Sequence, residues 1–322
     1  MAAFELEGKV AVVAGATRGA GRGIACMLGE AGATVYCTGR SIRGQPSSMR
    51  RPETIKETAE MVTAYGGTGF WVQVDHTQPE QVKTLFERVD QEQDGRLDVL
   101  VNDLTGDAHI DWDPPFWEHS LQEGLLALQS GIVAHIITSY HAVRLMVKRK
   151  QGLIVEVNDG NGLGYRGSFC YSLSKDVAIL MAHYLSVELR KHEIAAVCIT
   201  PGYLRSEAMM ERFGVTEESW RDGIAKDPIW ADSETPYYVG RAVAALAADP
   251  KVMRRTGRAL SSGWLAHDYG FTDIDGRQPP GYYPKEGVFT PLSVASSLTP
   301  RASRASIACS TASCAPRPAS WE

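Results

Sequence analysis

Several features are missing from this 322-residue chain, and each absence closes a class of function. No stretch approaches the ~18 apolar residues of a membrane-crossing helix, so no membrane partner is expected. The start, Met1-Ala2-Ala3-Phe4-Glu5, has no basic region leading into an apolar run and does not read as a secretory signal. The net charge of −5 gives no attractive field for nucleic acid or an anionic bilayer. The cysteines Cys26, Cys37, Cys170, Cys198, Cys309 and Cys314 include no CxxC pair, which argues against a zinc site or a disulfide framework. They read as reduced, mostly buried thiols of a cytoplasmic protein. No internal repeat is visible.

What is present is ordinary in composition, 44% hydrophobic and 22% charged, enough for a sizeable core. Short apolar runs at 9–14, 34–38, 69–74, 97–102, 153–157 and 195–200 read as strands. Helical patterns fall at 21–32, 53–65, 79–93, 117–149, 168–192 and 236–248, and an apolar segment near 259–266 closes the series. Strands alternating with helices of this length imply an α/β fold, a doubly wound parallel sheet of Rossmann type. The ligand crevice is then expected at the carboxyl ends of the strands. Residues 1–287 read as one domain. From 288 to 322 Ser, Ala, Pro, Thr and Arg dominate and periodicity is lost, the composition of a disordered tail.

The first strand runs into Gly15-Ala16-Thr17-Arg18-Gly19-Ala20-Gly21. Its spacing differs from GxGxxG, but the glycines allow the same tight strand-to-helix turn, with a helix N-terminus facing a pyrophosphate. The second strand ends Thr38-Gly39-Arg40-Ser41, with no acidic residue to bind a ribose 2′-hydroxyl. Arg40, with Arg18 close by in the glycine loop, suits a 2′-phosphate instead, so NADP(H) is favoured over NAD(H). Arg43, Arg50 and Arg51 read as solvated loop residues.

Tyr171 and Lys175 stand four apart in a helical segment and so share a face. An ammonium beside a phenol favours the phenolate and is expected to lower the tyrosine pKa from its ordinary value of about 10. Such a phenol can pass a proton to or from a substrate oxygen. The loop Asp103–Asp113 alternates carboxylates with His109; it reads as solvation and helix capping rather than a metal site. Residues 203–235 read as a substrate lid. Met209, Met210, Phe213, Trp220 and Trp230 either line it or pack it onto the core.

Taken in order, these motifs resemble the short-chain dehydrogenase/reductase family. The glycine turn, Asp75, the run Leu97–Asn102, Tyr171/Lys175 and Pro201-Gly202 with Ser206 carry the resemblance over about residues 8 to 267. The segments Ala31–Tyr36, Gly95–Asp98, Thr256–Arg258 and Asp273–Arg277 are similar to the dehydrogenase/reductase member 1 subgroup. The resemblance implies that Asp75 contacts the adenine and that Asn102 supports the strand end beside the adenosine. It implies that Pro201, Gly202 and Ser206 border the nicotinamide and that Lys175 also binds its ribose. Asp75 as a turn residue and Ser206 as a helix cap are the plainer alternatives. Family members often associate through the long helices that precede and contain the tyrosine, so a homo-oligomer is an expectation of the resemblance.

Two family positions differ. A serine that donates to the carbonyl oxygen is replaced, in Asn158-Asp159-Gly160, by Asp159 or its neighbour Asn158. An ionised carboxylate only accepts, which leaves three readings. Asp159 is protonated and donates, or Asn158 donates, or Asp159 grips a hydroxyl or amine on the substrate while Tyr171 alone serves the oxygen. A helix asparagine is replaced by Gly131, which can keep a local helix distortion but brings no side-chain amide. The expectation is an NADP(H)-dependent oxidoreductase acting on a small-molecule carbonyl or alcohol. Its rival is a catalytically impaired NADP(H)-binding sensor or scaffold.

Overall fold

The computed structural model describes residues 4–45 and 51–281. The expectation of a disordered tail at 288–322 lies outside the described residues. Seven strands form one sheet: β1 Val10–Ala14, β2 Thr34–Gly39, β3 Thr68–Gln73, β4 Val99–Asn102, β5 Gly152–Val157, β6 Ile194–Thr200 and β7 Ala259–Ser261. Their order is β3-β2-β1-β4-β5-β6-β7 and every pairing is parallel. The order reverses at β1, between β2 and β4, which is the switch point where open α/β sheets bind ligands.

The central strands read as unbroken apolar runs because both faces are covered. Ala11 and Val13 of β1 pack toward one core with Ile24, Val239 and Leu265. Val10 and Val12 pack toward the other with Leu85, Ala142 and Leu189. The first face carries α1 Gly19–Glu30, α2 Ile55–Ala64, α8 Pro236–Ala248 and α9 Ser262–Tyr269. The second carries α3 Pro79–Glu92, α5 Ala134–Arg149 and α6 Phe169–Leu189. Each fully buried Val, Leu or Ile side chain contributes roughly 1.5–3 kcal/mol, so these two layers hold the sheet that positions the site.

The single helix expected over 117–149 is divided. α4 Leu121–Leu128 passes through a π turn at Gln129–Val133 before α5 begins. Gly131 is the centre of that turn, so the distortion expected there is present. A side chain at Gly131 would bring its Cβ to 3.1 Å from Ser174 Cβ of α6, and the glycine therefore also lets the two helices approach. The segment near 259–266 is likewise divided, into β7 and the start of α9.

Candidate active site

β1 ends at the glycine turn. Gly15 has φ of +93° and Gly19 +55°, and a Cβ on Gly15 would lie 2.1 Å from the Asp103 carbonyl oxygen. Only glycine fits that backbone approach. The turn opens onto a cleft of about 160 Å³ whose wall includes Gly15, Thr17, Arg18, Arg40, Ser41 and Asp75. A positively polarised helix end, a cradle without side chains and guanidinium groups at the β2 end suit a dinucleotide with its phosphates. Two of the α1 N–H groups already donate to carboxylates: Gly19 to Glu207 at 2.8 Å and Gly21 to Asp103 at 2.6 Å. Burial pushes the Asp103 carboxyl up to about 7.

The arginines differ from one another. Arg18 pairs with Glu53 at 3.4 Å, and its side chain lines the cleft. Arg51 is not the solvated residue expected: it is largely covered, pairing with Glu53 at 3.3 Å and with Glu211 of helix α7, Glu207–Phe213. Arg43 is exposed and holds Glu60 at 2.6 Å. Arg50 lies outside the described residues. Arg40 is exposed at the β2 end, and no carboxylate among the described residues lies within ion-pair distance of it.

Asp75 serves its own turn, accepting from Thr77 N–H at 3.0 Å and Thr77 Oγ1 at 2.7 Å, while still lining the cleft. Asn102 is turned inward and fully buried. Its amide donates to Ser139 Oγ at 3.0 Å and Glu156 Oε1 at 2.9 Å, so it braces the strand end from beneath rather than forming the cleft wall. Pro201 and Gly202 follow β6, and Gly202 N–H donates to Glu234 at 2.8 Å. Ser206 caps α7 through Met209 N–H, and its Cβ lies 3.8 Å from where a Gly19 Cβ would stand.

At the other end of the cleft α6 carries Tyr171 and Lys175. The Lys175 ammonium stands 4.9 Å from the centre of the Tyr171 ring and 3.8 Å from Asp107. Tyr171 Oη donates to Asp159 Oδ2 at 2.8 Å. The expected acidification of Tyr171 is not what this geometry produces. Burial first, then the carboxylates of Asp159 and Asp107, hold its pKa well above the ordinary phenol value, and Lys175 does not offset them. Asn158 is buried; one N–H of its amide donates to the Gly160 carbonyl at 2.9 Å and the other faces Cys198, so both donors are engaged.

Arg166 fixes this loop. Its Nε donates to the Asp159 carbonyl at 2.9 Å, Nη1 to the Gly164 carbonyl at 2.7 Å and to Asp176 of α6 at 2.6 Å, and Nη2 to the Gly162 carbonyl at 2.5 Å. Trp112 lies against the Tyr171 ring, centroids 4.8 Å apart. Neither residue stood out in the sequence, because neither belongs to a motif and only the fold brings each to its partners. Behind Lys175 a cavity of about 10 Å³, room for one water, is lined by Gly131, Asn158, Ser174 and His135. His135 bonds Glu156 at 2.5 Å through Nδ1 and the Leu104 carbonyl at 2.8 Å through Nε2. Burial disfavours its cation, but Glu156 and the carbonyl push its pKa up. A glutamate inside the apolar strand Gly152–Val157 was the available signal for this pair.

In the segment 203–235, Phe213, Trp220 and Trp230 are buried and form a core of their own, with Met209 and Met210 packed against it. The three aromatics therefore hold this segment together rather than line the cleft. His109 is taken by Glu123 at 2.7 Å, and among the described residues no group of three His, Cys, Asp or Glu is placed to hold a metal ion. Cys26, Cys37, Cys170 and Cys198 are free and buried. Among the described residues no helix is long and apolar enough to cross a membrane.

A glycine turn at the switch point of a parallel sheet, with tyrosine and lysine one helical turn apart across the same edge, defines a dinucleotide-dependent oxidoreductase. The model of the short chain dehydrogenase family matches residues 9–215, and the chain belongs to that family. It is 37% identical over 283 residues to dehydrogenase/reductase SDR family member 1 of Mus musculus, covering 86% of this chain and 87% of the relative. The Homo sapiens protein of the same name is 35% identical over 296 residues, 90% and 91% of the two chains. A crystal structure of a short chain dehydrogenase from Mycobacterium thermoresistibile shares the fold, with a TM-score of 0.71 at 21% identity over 86% of this chain and 93% of that one. The family moves hydride between a nicotinamide dinucleotide and its substrate.

Proposed function

We propose that this chain transfers hydride between NADP(H) and a carbonyl/alcohol pair, with Tyr171 as the acid/base and Lys175 as its cationic partner. The observation that carries the reading is the position of these two side chains on one face of α6, at the edge where the glycine turn opens. When bound, the nicotinamide supplies or takes the hydride. Thr17, Arg18 and the turn Gly15–Gly21 would hold its phosphates, with Gly202 and Ser206 on the lid side. Arg40 has no carboxylate partner among the described residues, which supports the choice of the 2′-phosphorylated cofactor. Tyr171 holds the proton that a forming alkoxide needs; its raised pKa makes it a weaker acid, so the transfer draws on the still greater basicity of the alkoxide. Lys175, 4.9 Å from the centre of the Tyr171 ring, would hold the nicotinamide ribose. Exposed apolar side chains on α5 and α6, among them Ile136, Tyr140, Tyr184 and Val187, support association with a second copy.

The test is turnover of a panel of carbonyls and alcohols followed by NADPH absorbance. Tyr171→Phe is expected to lose roughly 10²–10⁴-fold in kcat while retaining NADPH binding. Arg40→Ala is expected to weaken NADPH about tenfold and leave NADH unchanged. A Tyr171→Phe enzyme with full turnover would refute the assignment; a parent protein that binds NADPH without turning over any carbonyl or alcohol would favour the sensor instead.

A further inference from the structure

Resting on that reading, we propose that the substrate carries a hydrogen-bond donor, a hydroxyl or a protonated amine, on the carbon next to its reacting carbonyl, and that Asp159 selects it.

The argument is one of counting donors. Tyr171 has a single O–H, and it goes to Asp159 Oδ2 at 2.8 Å. To serve a substrate, Tyr171 must turn that proton to the carbonyl oxygen. Asp159 then keeps its place but loses its partner. Its main-chain carbonyl is clamped by Arg166 Nε at 2.9 Å, so the loop does not carry the carboxylate away. Four N–H groups of Arg166 are spent on three carbonyls and Asp176; of the two N–H groups of the Asn158 amide, one goes to the Gly160 carbonyl and the other faces the Cys198 sulfur. Lys175 faces Asp107 rather than Asp159.

A plain ketone therefore sets a carboxylate without a donor beside a carbonyl oxygen, lone pairs against lone pairs. A donor one carbon away from the carbonyl replaces the lost phenol and turns the repulsion into a charge-assisted hydrogen bond. The covalent step is unchanged: hydride adds to the carbonyl carbon, the carbon–oxygen π pair moves onto oxygen, and that oxygen takes the proton of Tyr171. Asp159 exchanges no proton; it is a specificity residue. A site that demands such a donor rejects substrates lacking one far more strongly than an apolar pocket rejects a methylene.

The experiment compares acetophenone with its α-hydroxy and α-amino derivatives, using NADPH, in the parent, Asp159→Ser, Asp159→Asn and Tyr171→Phe. In the parent, kcat/KM for at least one derivative should exceed that for acetophenone roughly 100-fold, and the faster derivative identifies the donor. Asp159→Ser should bring the ratio to within about threefold of unity, chiefly by raising turnover of the plain ketone, since serine can donate to the carbonyl. Asp159 is exposed, so both variants should fold, and Asp159→Asn should reduce the ratio as well. Equal rates for the three ketones in the parent, or a ratio unmoved by both Asp159 variants, overturns the proposal. If instead Tyr171→Phe reduces all three ketones normally, it is the assignment of Tyr171 that fails.

Discussion

The two ends of the cleft handle negative charge in opposite ways. At the glycine turn each carboxylate meets a partner that stabilises it: Glu53 lies between Arg18 and Arg51, Glu207 takes Gly19 N–H and faces Arg22, and Asp103 takes Gly21 N–H. At the α6 end Asp159 meets a phenol, and Asp107 lies 3.8 Å from Lys175. Acids at the first end sit on fixed donors; acids at the second raise the proton affinity of Tyr171. The same residue type thus stabilises one region and tunes the other, and the difference lies in whether a fixed donor is already present.

The sharpest way to break this contrast is to remove Arg166, which holds the Asp159 loop as firmly as the arginines hold the first end. Arg166→Ala should lower kcat/KM about 100-fold through misplacement of the reacting groups. It should also cost about 2 kcal/mol of stability, read from urea unfolding, because charge-assisted hydrogen bonds to partly buried groups are lost. A smaller effect is expected at the first end. Glu207→Ala removes a carboxylate from the α1 N-terminus, the place a pyrophosphate would take. NADPH affinity, measured by fluorescence titration, should tighten about fivefold, while the cofactor-free protein loses ~0.5 kcal/mol of stability. An unchanged affinity would mean the lid helix does not compete for that helix end.

A further prediction concerns pH. Asp103 is raised from 3.8 to about 7 by burial first, against the pull of Lys175 and the Gly21 N–H. A carboxyl with a raised folded-state pKa binds its proton more tightly folded than unfolded. Its effect on stability is therefore most favourable below 3.8, declines as pH rises toward about 7, and is constant above that. Asp103→Asn removes the decline. The stability of the variant relative to the parent should rise across that window and then level off; a flat difference would show that Asp103 titrates normally.

Much of the dinucleotide end was legible in the chain. The strand-to-helix turn at Gly15–Gly21 is a local pattern, and a positive φ at Gly15 demands the residue that the sequence places there. Arg40 could be found because it directly follows β2. Arg51 and Glu211, 160 positions apart, could not be paired from spacing, and neither could Glu207 with Gly19. At the catalytic end Tyr171 and Lys175 were found by helical periodicity, yet the direction of the Tyr171 pKa was misjudged. Counting four residues along a helix reveals the cation, whereas burial and two carboxylates from separate loops outweigh it. The lid aromatics were ambiguous for a related reason: a Trp at position 230 reads the same whether it faces a ligand or, as here, is wholly enclosed.

By itself the sequence determined the alternation of strands and helices, the glycine turn, the tyrosine–lysine face and hence the family, because each rests on interactions between neighbours in the chain. Only the tertiary structure decided which acids meet which donors, that Asn102 braces β4 and β5 from within, and that Asp159 rather than Asn158 faces the phenol. Those outcomes depend on burial and on partners brought together from distant segments. Electrostatic free energy falls with distance and rises as water is excluded, and neither distance nor exclusion is written in the order of residues.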